Sequence, residues 1–298
     1  MIKWLKLLFS QQKTEYQFPE GSEDQLIKYY YELDSELKKQ EEKKKKELDM
    51  FFWSLMVLAL GQLDNVRNGQ IVFSSKKYKE LKIILEEHFL ASEKIAHKHG
   101  KDILKQIIPK VRNTKDIIKA YKRVVSIKQP KYTQYNHEYA NELGNKEIYD
   151  YKKALTSVAK KLLSEQNKPK LLPASKEDQN KQLEELLKRE TQSFINKRSQ
   201  NISSTEANRA VNAFLGKIFK ESQIVRAMRF TAILDDRTTN ICRARDGLIM
   251  TIERFLAEFL PPLHWHCRSY GVPLGKWNKF NLSPEEAFLN LPKPWFAK

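Results

Sequence analysis

The sequence predicts an α+β protein, with a predominantly helical N-terminal region followed by a small α+β domain that holds a short antiparallel sheet. The composition favours helices, because the 298 residues include only nine glycines and 31% of them are charged. A change of periodicity separates the two parts. Apolar residues recur at helical spacing up to about residue 220, whereas from Val225 onward they mostly alternate with polar residues, as in a half-buried strand. The length allows two domains, each with a core of its own.

Residues 1–166 are expected to form the helical region. Its first helix is expected to begin after Ser22, because Ser22 and Gln25 have the spacing of a capping box. The helix should carry the charged stretch 38–47 on a solvent-facing side, and the Asn68-Gly69 pair should end it. Further helices are expected over 76–99, 103–108 and 116–127.

The second part of the chain is expected to follow a linker at 167–175, which carries two prolines and no apolar stripe. Residues 176–276 form the predicted α+β domain, with one helix starting near Lys176 and another over 205–220. Residues 277–298 are expected to form an extended tail on its surface. Strands are expected over 225–235, 248–251 and 267–272.

The net charge of +17 predicts a polyanionic partner, and DNA bound without sequence specificity is the first candidate. The alternative is that the lysines only solvate helix faces.

Two cysteines make no disulfide framework, so a reducing compartment is expected. The longest apolar run, 50–60, is too short to span a bilayer. Met1–Ser10 is interpreted as an amphipathic docking segment, because it lacks the features of a secretory signal.

The residues with the most chemical character lie together in Thr231–Pro273. This stretch contains both cysteines, two of the six histidines, a Pro-Pro pair and an Asp-x-Arg-Thr box. In order, its distinctive positions are Asp235, Arg237, Thr238, Cys242, Gly247, Pro261, Pro262, His264, Cys267 and Arg268. The ordered set resembles the C-terminal signature of the phage Mu F-like minor head proteins, also called phage head morphogenesis proteins.

The resemblance implies a minor capsid protein of a tailed phage or prophage. Such a protein would lie inside the capsid of the virion, and in the host cytoplasm during assembly. Its expected partners are the portal protein, a scaffold or major capsid protein, and packaged DNA. A non-enzymatic role without a membrane span is expected.

Cys242, His264 and Cys267 are candidate ligands of a structural zinc ion, because thiolates and imidazoles are the groups that bind zinc. Their spacing, Cys-x21-His-x2-Cys, leaves a fourth ligand to be found. The resemblance implies a cysteine two residues after Cys267, but Ser269 stands at that position. The candidates to replace it are His266 and Asp246.

Local geometry decides whether these groups can meet. An extended strand would point Cys267 away from both histidines, so one ion could be bound only if the Pro261-Pro262 pair leads into a turn. Two further interpretations stay open, namely two buried thiols beside a packed histidine and a Cys242–Cys267 disulfide.

Asp235, Arg237 and Thr238 predict a polar clamp that holds a loop, because Asp and Thr bond nearby backbone amides and Arg can bind a carboxylate. A catalytic or metal-binding carboxylate is the alternative. A metal-dependent nuclease or other hydrolase using the His264/Cys267 cluster is the alternative function, with His264 as general base. Three neighbouring arginines could instead contact phosphates without cleavage: Arg243, Arg245 and Arg268.

Overall fold

The computed structural model describes residues 22–109, 115–128, 134–166 and 175–295. The expected docking segment Met1–Ser10 lies outside the described residues, as does nearly all of the expected linker. The described chain is mostly helical and carries a small three-stranded antiparallel sheet in its C-terminal part. The predicted fold class is therefore confirmed.

Helices make up nearly all of the described chain before the sheet. The first ends at Leu60 rather than at the predicted Asn68-Gly69 pair, and a short second helix follows that ends at Asn68. Gly69 then ends the second helix at φ +71°, a conformation that costs glycine little because it has no Cβ. The helices are α1 (Ser22–Leu60), α2 (Leu63–Asn68), α3 (Ser75–Gln106), α4 (Lys115–Ser126), α5 (Gln134–Gln166) and α6 (Lys176–Ser222).

Two predicted helix breaks are absent. The helices expected over 76–99 and 103–108 are one helix, α3, which continues through Gly100. A Cβ at Gly100 would lie 2.9 Å from Leu215 Cδ2, so this glycine allows close packing against α6 instead of ending a helix. The helices expected near Lys176 and over 205–220 are also continuous, because neither glycine nor proline separates them.

The charged stretch 38–47 does not lie wholly in solvent. Lys44 is 2% exposed, and its ammonium group donates to Glu47 and, at 3.4 Å, to Glu87. The aliphatic part of the side chain can pack in an apolar setting because carboxylates neutralise its end.

The described residues form two compact units whose segments interleave along the chain. Helices α1, α3 and α6 each contribute residues to both units. This grouping by contact differs from the successive parts expected from the sequence. Of the described residues, the first unit comprises 22–40, 90–109, 115–128 and 204–295, and the second comprises 41–89, 134–166 and 175–203.

The sheet belongs to the first unit and consists of β1 (Val225–Thr231), β2 (Ile249–Thr251) and β3 (Tyr270–Gly275), in the order β2-β1-β3. All three predicted strands exist, although β1 ends earlier and β3 begins later than expected. Strand β1 is buried at every residue but one, because it is the central strand and lies in the core. Tyr30 of α1 donates a hydrogen bond to the carbonyl of Gly271 in β3 at 2.9 Å.

Two connections join the strands. Residues 232–248 link β1 to β2 and include the short helix α7 (Asn240–Arg243). Residues 252–269 link β2 to β3 and begin with α8 (Ile252–Arg254), which continues into a π-helical turn at Phe255–Phe259. Among the described residues, no helix has both the length and the apolar character needed to cross a bilayer.

Candidate functional site

The antiparallel register brings the two connections together at one end of the sheet. Thr231, the last residue of β1, pairs with Tyr270, the first residue of β3. The residues that follow β1 therefore lie beside those that precede β3. This is why the Asp235–Cys242 stretch and the His264–Arg268 stretch meet.

Cys242, His264 and Cys267 form a buried group at this meeting point. The Cys242 Sγ lies 3.0 Å from His264 Nε2 and 3.7 Å from Cys267 Sγ. All three potential ligand atoms lie within 4.8 Å of one another, and each residue is at most 5% exposed. Both thiols are free, so the structure contains no Cys242–Cys267 disulfide.

Local structure positions each of the three residues. Thr239 caps α7 by accepting a hydrogen bond from the amide of Cys242. On the other side, the Pro261-Pro262 peptide bond is cis, and the amide of Cys267 donates to the carbonyl of His264 at 3.2 Å. That turn places the imidazole and the thiol on the same side, which an extended strand would not do.

Hydrogen bonding and burial act on the charges of this group. Hydrogen bonds from Cys242 and His264 hold the pKa of Cys267 well below the ordinary thiol value, although burial opposes this. The same contact and burial raise the pKa of Cys242. Burial disfavours the charged form of His264, but contact with Cys267 outweighs it, and the pKa of His264 is raised. The group therefore favours the thiolate form of Cys267, which is the form that binds metal ions.

The separation of the two sulfur atoms suits a tetrahedral metal. Sulfur atoms each about 2.3 Å from a tetrahedral zinc ion lie about 3.8 Å apart, close to the 3.7 Å between Cys242 and Cys267. The two thiols and the imidazole can thus hold a metal ion with little rearrangement. Ser269, at the sequence position where the resemblance implies a fourth ligand, is buried.

His266 and Asp246, the other candidate ligands, lie outside the three-residue group. His266 has a φ of +55°, and α6 holds it in that conformation through Ser204, whose hydroxyl lies 2.8 Å from Nδ1, and Thr205, which accepts from its amide. Asp246 accepts a hydrogen bond from the amide of Ala232 at 2.8 Å. Both side chains stabilise loops rather than complete the group.

In the proposed polar clamp, Asp235 contacts Thr238, and the guanidinium group closest to its carboxylate is that of Arg268. The Asp235 carboxylate accepts from the amide of Arg237 and from the Thr238 hydroxyl, which closes the turn. Arg237 itself is mostly exposed and lies 3.9 Å from the carboxylate. Arg268 binds Asp235 instead, with Nη2 at 2.7 and 2.9 Å from the two carboxylate oxygens. This hydrogen bond from Arg268 lowers the pKa of Asp235 to about 2.

The three arginines proposed to contact phosphates have intramolecular partners. Arg245 is 4% exposed and donates to the carbonyls of Ile241 and Pro292, each at 2.8 Å. Arg243 donates to the carbonyl of Asp235 at 3.3 Å, and Arg268 binds the Asp235 carboxylate. Arg245 and Arg268 therefore fit a structural role better than a phosphate contact.

The C-terminal tail adds contacts that the motif did not predict. The amide of Trp295 donates to the carbonyl of Leu263, and its indole ring lies edge-on to His264, with the ring centres 5.5 Å apart. Pro292 accepts the hydrogen bond from Arg245. The Pro-Lys-Pro-Trp sequence indicated only an extended surface segment, because the place where a tail docks depends on the folded surface.

Comparison with known proteins identifies this region. The model of the family described as Phage Mu protein F like protein matches residues 175–271, which contain both the clamp and the Cys-His-Cys group. No curated protein and no solved structure matches the chain. The family predicted from the ordered motif is confirmed for residues 175–271, the part of the chain that is similar to the phage Mu protein F like proteins.

Proposed function

We propose that this protein is a minor head protein of a tailed phage or prophage, a component of the virion that acts in head morphogenesis. The observation that carries the proposal is the family match over residues 175–271, because the ordered motif residues from Asp235 to Arg268 all lie within it. Contacts that join two loops account for the polar and sulfur-containing side chains of the motif, and such contacts are a role in structure rather than in turnover.

The proposal includes association with the portal protein inside the procapsid, and contact with a scaffold or major capsid protein during assembly. Co-expression with the portal protein encoded by the same phage tests it. The chain should co-purify with the portal ring through size exclusion. A portal ring that elutes without the chain, when both are soluble and folded, would contradict portal association.

DNA is the second proposed partner, bound without sequence specificity. The support is the net charge of +17, since lysine and arginine contacts to phosphates release counterions on binding. Binding of a labelled 20-base-pair duplex should weaken steeply between 50 and 200 mM salt and should not depend on sequence. Affinity that ignores salt, or no binding at 50 mM salt, would refute this part of the proposal.

We further propose that Cys242, His264 and Cys267 hold a structural zinc ion. The spacing of the two sulfurs and the thiolate character of Cys267 support it. Bound zinc would join the two loops through coordinate bonds to side chains from both. Protein purified without chelators should contain one zinc per chain by elemental analysis.

Two variants sharpen the zinc test. Cys267→Ser should lose the metal, whereas Ser269→Cys, two residues away, should keep it and should resist a chelator better because it adds a thiol. Wild-type protein that stays free of zinc after incubation with equimolar zinc would rule the site out.

The nuclease alternative gains no support from the geometry. His264, its general base, is 5% exposed and has Nε2 against Cys242 and Nδ1 2.7 Å from the carbonyl of Trp265. A general base needs access to the substrate. Wild-type protein should therefore leave DNA and RNA intact with Mg²⁺, Mn²⁺ or Zn²⁺, and cleavage that His264→Ala abolishes would reverse this conclusion.

A further inference from the structure

We propose that a basic groove at the opposite end of the β1–β3 ladder binds the phosphate backbone of nucleic acid. The groove lies in the first unit, has a volume of about 640 Å³ and is separate from the Cys-His-Cys group. This inference rests on the proposed DNA binding and names the surface that performs it. The groove is lined by Arg226, Lys276, Asn278, Lys279, Phe280 and Asn281.

An irregularity in the sheet builds one side of the groove. Val225 pairs with Gly275 and Ala227 with Leu274, so two residue steps on β1 face one step on β3. Arg226 is the extra residue of this bulge, and it is the one exposed residue of an otherwise buried strand. A bulge redirects the side chain of its extra residue, and here that places a guanidinium group at the groove.

The loop after β3 builds the other side, and it is held in a fixed conformation. Asn278 is 8% exposed. Its side-chain oxygen accepts a hydrogen bond from the backbone N–H of Gly275 at 2.6 Å, and its backbone N–H donates to the Gly275 carbonyl. Lys276 is tied back to the chain before β1, because its amide donates to the carbonyl of Ile224 at 2.9 Å. Phe280 packs on Ala227, Ile249 and Leu274. The groove is therefore formed before a ligand arrives.

Its charge is uncompensated. In the part of the chain that the structure describes, no carboxylate forms an ion pair with Arg226, Lys276 or Lys279. The Lys276 ammonium lies over the Trp277 ring at 4.6 Å from its centre. Other cations in the first unit do form ion pairs, such as Lys98 with Glu36 and Arg268 with Asp235.

Three unpaired cations beside asparagine amides suit phosphate oxygens, which accept hydrogen bonds and carry charge. The volume exceeds that of a single phosphate and lies in the range of sites for nucleotide-sized ligands. An open groove on a strongly basic chain favours a continuous backbone over a free nucleotide, because a backbone can run past the site on both sides.

The test is a charge-neutralising triple variant, Arg226→Gln with Lys276→Gln and Lys279→Gln. Binding of fluorescein-labelled 20-base-pair duplex and 20-nucleotide single strand is measured by anisotropy from 50 to 200 mM salt. Loss of three phosphate contacts should reduce the slope of log affinity against log salt by about two to three. At 50 mM salt the affinity should fall at least tenfold. Far-ultraviolet circular dichroism checks that the variant is folded.

A matched control makes the same change of charge on α4, with Lys115→Gln, Lys119→Gln and Lys122→Gln. These lysines are exposed and lie in the same unit. The control variant should lose no more than about threefold in affinity.

An equal loss of affinity in the two triple variants would show that the groove is not the binding site. If wild-type protein binds ATP but neither the DNA duplex nor the single strand, the groove does not bind a nucleic-acid backbone. If wild-type protein binds DNA and the groove triple binds it equally well, only this inference fails, whereas wild-type protein that binds no DNA refutes the proposed DNA contact itself.

Discussion

The carboxylate of Asp235 joins two loops, because one of its hydrogen-bond partners is close to it in the sequence and another is far away. Its turn partner, Thr238, lies three residues away and could be predicted, because Asp and Thr side chains bond nearby backbone groups in turns. Its arginine lies 33 residues away, in Arg268 rather than in the adjacent Arg237. Sequence proximity favoured Arg237, whereas the closer guanidinium group, that of Arg268, reaches Asp235 because of how β1 pairs with β3.

Replacing Asp235 by Asn should destabilise the fold by about 1 kcal/mol at pH 7, because a charge-assisted hydrogen bond at a partly exposed site contributes about that much. The folded-state pKa of Asp235, about 2, lies below the unfolded value of about 3.9. The contribution is therefore complete above the unfolded pKa and is lost as the pH falls through the folded pKa. Urea unfolding of both proteins between pH 2 and 7 should show their difference shrinking toward pH 2.

Asp236→Asn is the control, because Asp236 is exposed and the substitution makes the same change of charge next door. It should alter stability by less than about 0.5 kcal/mol at any of these pH values. Equal effects of the two substitutions would show that net charge matters and the contact with Arg268 does not.

The members of the Cys-His-Cys group could be named from residue type and spacing, whereas their neighbours could not. Cys242, His264 and Cys267 are uncommon residues placed close to turns. Trp295 was expected only as part of a surface tail, and Arg245 was expected to contact phosphates. In the structure Trp295 contacts His264 and Arg245 contacts Pro292, partners at least 31 residues away in the sequence. Such partners follow from the tertiary path of the chain and leave no local pattern.

At the scale of elements, periodicity predicted all three strands and most of the helices, but it gave no bounds for α5 and did not predict where the helices end. Gly100 stands inside α3, where glycine usually weakens a helix, because the space is needed for Leu215. The helix α6 runs unbroken through Ser203, Ser204 and Thr205, residues that also favour helix starts. Packing decides such positions, and packing is set by residues far away in the sequence.

Helices α5 and α6 are joined in the second unit by an ion pair whose removal should be costly. Glu147 is fully buried, and Arg198 donates two hydrogen bonds to its carboxylate. Arg198 Nη2 lies 2.7 Å from Glu147 Oε1 and 2.9 Å from Asp150 Oδ2. Burial raises the pKa of Glu147 even though Arg198 opposes it. Arg198→Ala should therefore cost about 3 kcal/mol in urea unfolding, because an uncompensated buried acid remains.

The matched variant for that experiment is Arg189→Ala, on the same helix. Its ion pair with Glu190 is largely exposed, so the loss should stay within about 0.5 kcal/mol. If both alanine variants unfold at the same urea concentration, the buried pair does not stabilise the second unit as described.

Strand β3 packs so closely that Gly271 has no room for a methyl group. A Cβ there would lie 2.5 Å from Phe255 Cζ and 2.6 Å from Met228 Cε. Gly271→Ala should destabilise the protein by about 2 kcal/mol through overpacking. Gly61→Ala should be neutral or slightly stabilising, because its Cβ would meet only the Leu58 carbonyl oxygen, at 3.5 Å. Thermal unfolding of the two variants tests this, and a Gly271→Ala protein as stable as wild type would contradict the packing.

At the scale of the whole molecule, composition and periodicity together were enough to predict a mainly helical chain with a small sheet. They did not predict the two interleaved units. Helices α1, α3 and α6 each serve both units, and a continuous helix gives no sign in its sequence of where one set of contacts gives way to another. The family match, in contrast, follows from local motif order and was predicted in full.

The central claim is that this chain is a head component, and the most direct measurement is mass spectrometry of purified heads from the phage or prophage that encodes it. The account predicts that the chain is present in procapsids and mature heads in a few copies relative to the major capsid protein. Heads that are complete and contain DNA but lack the chain would contradict it.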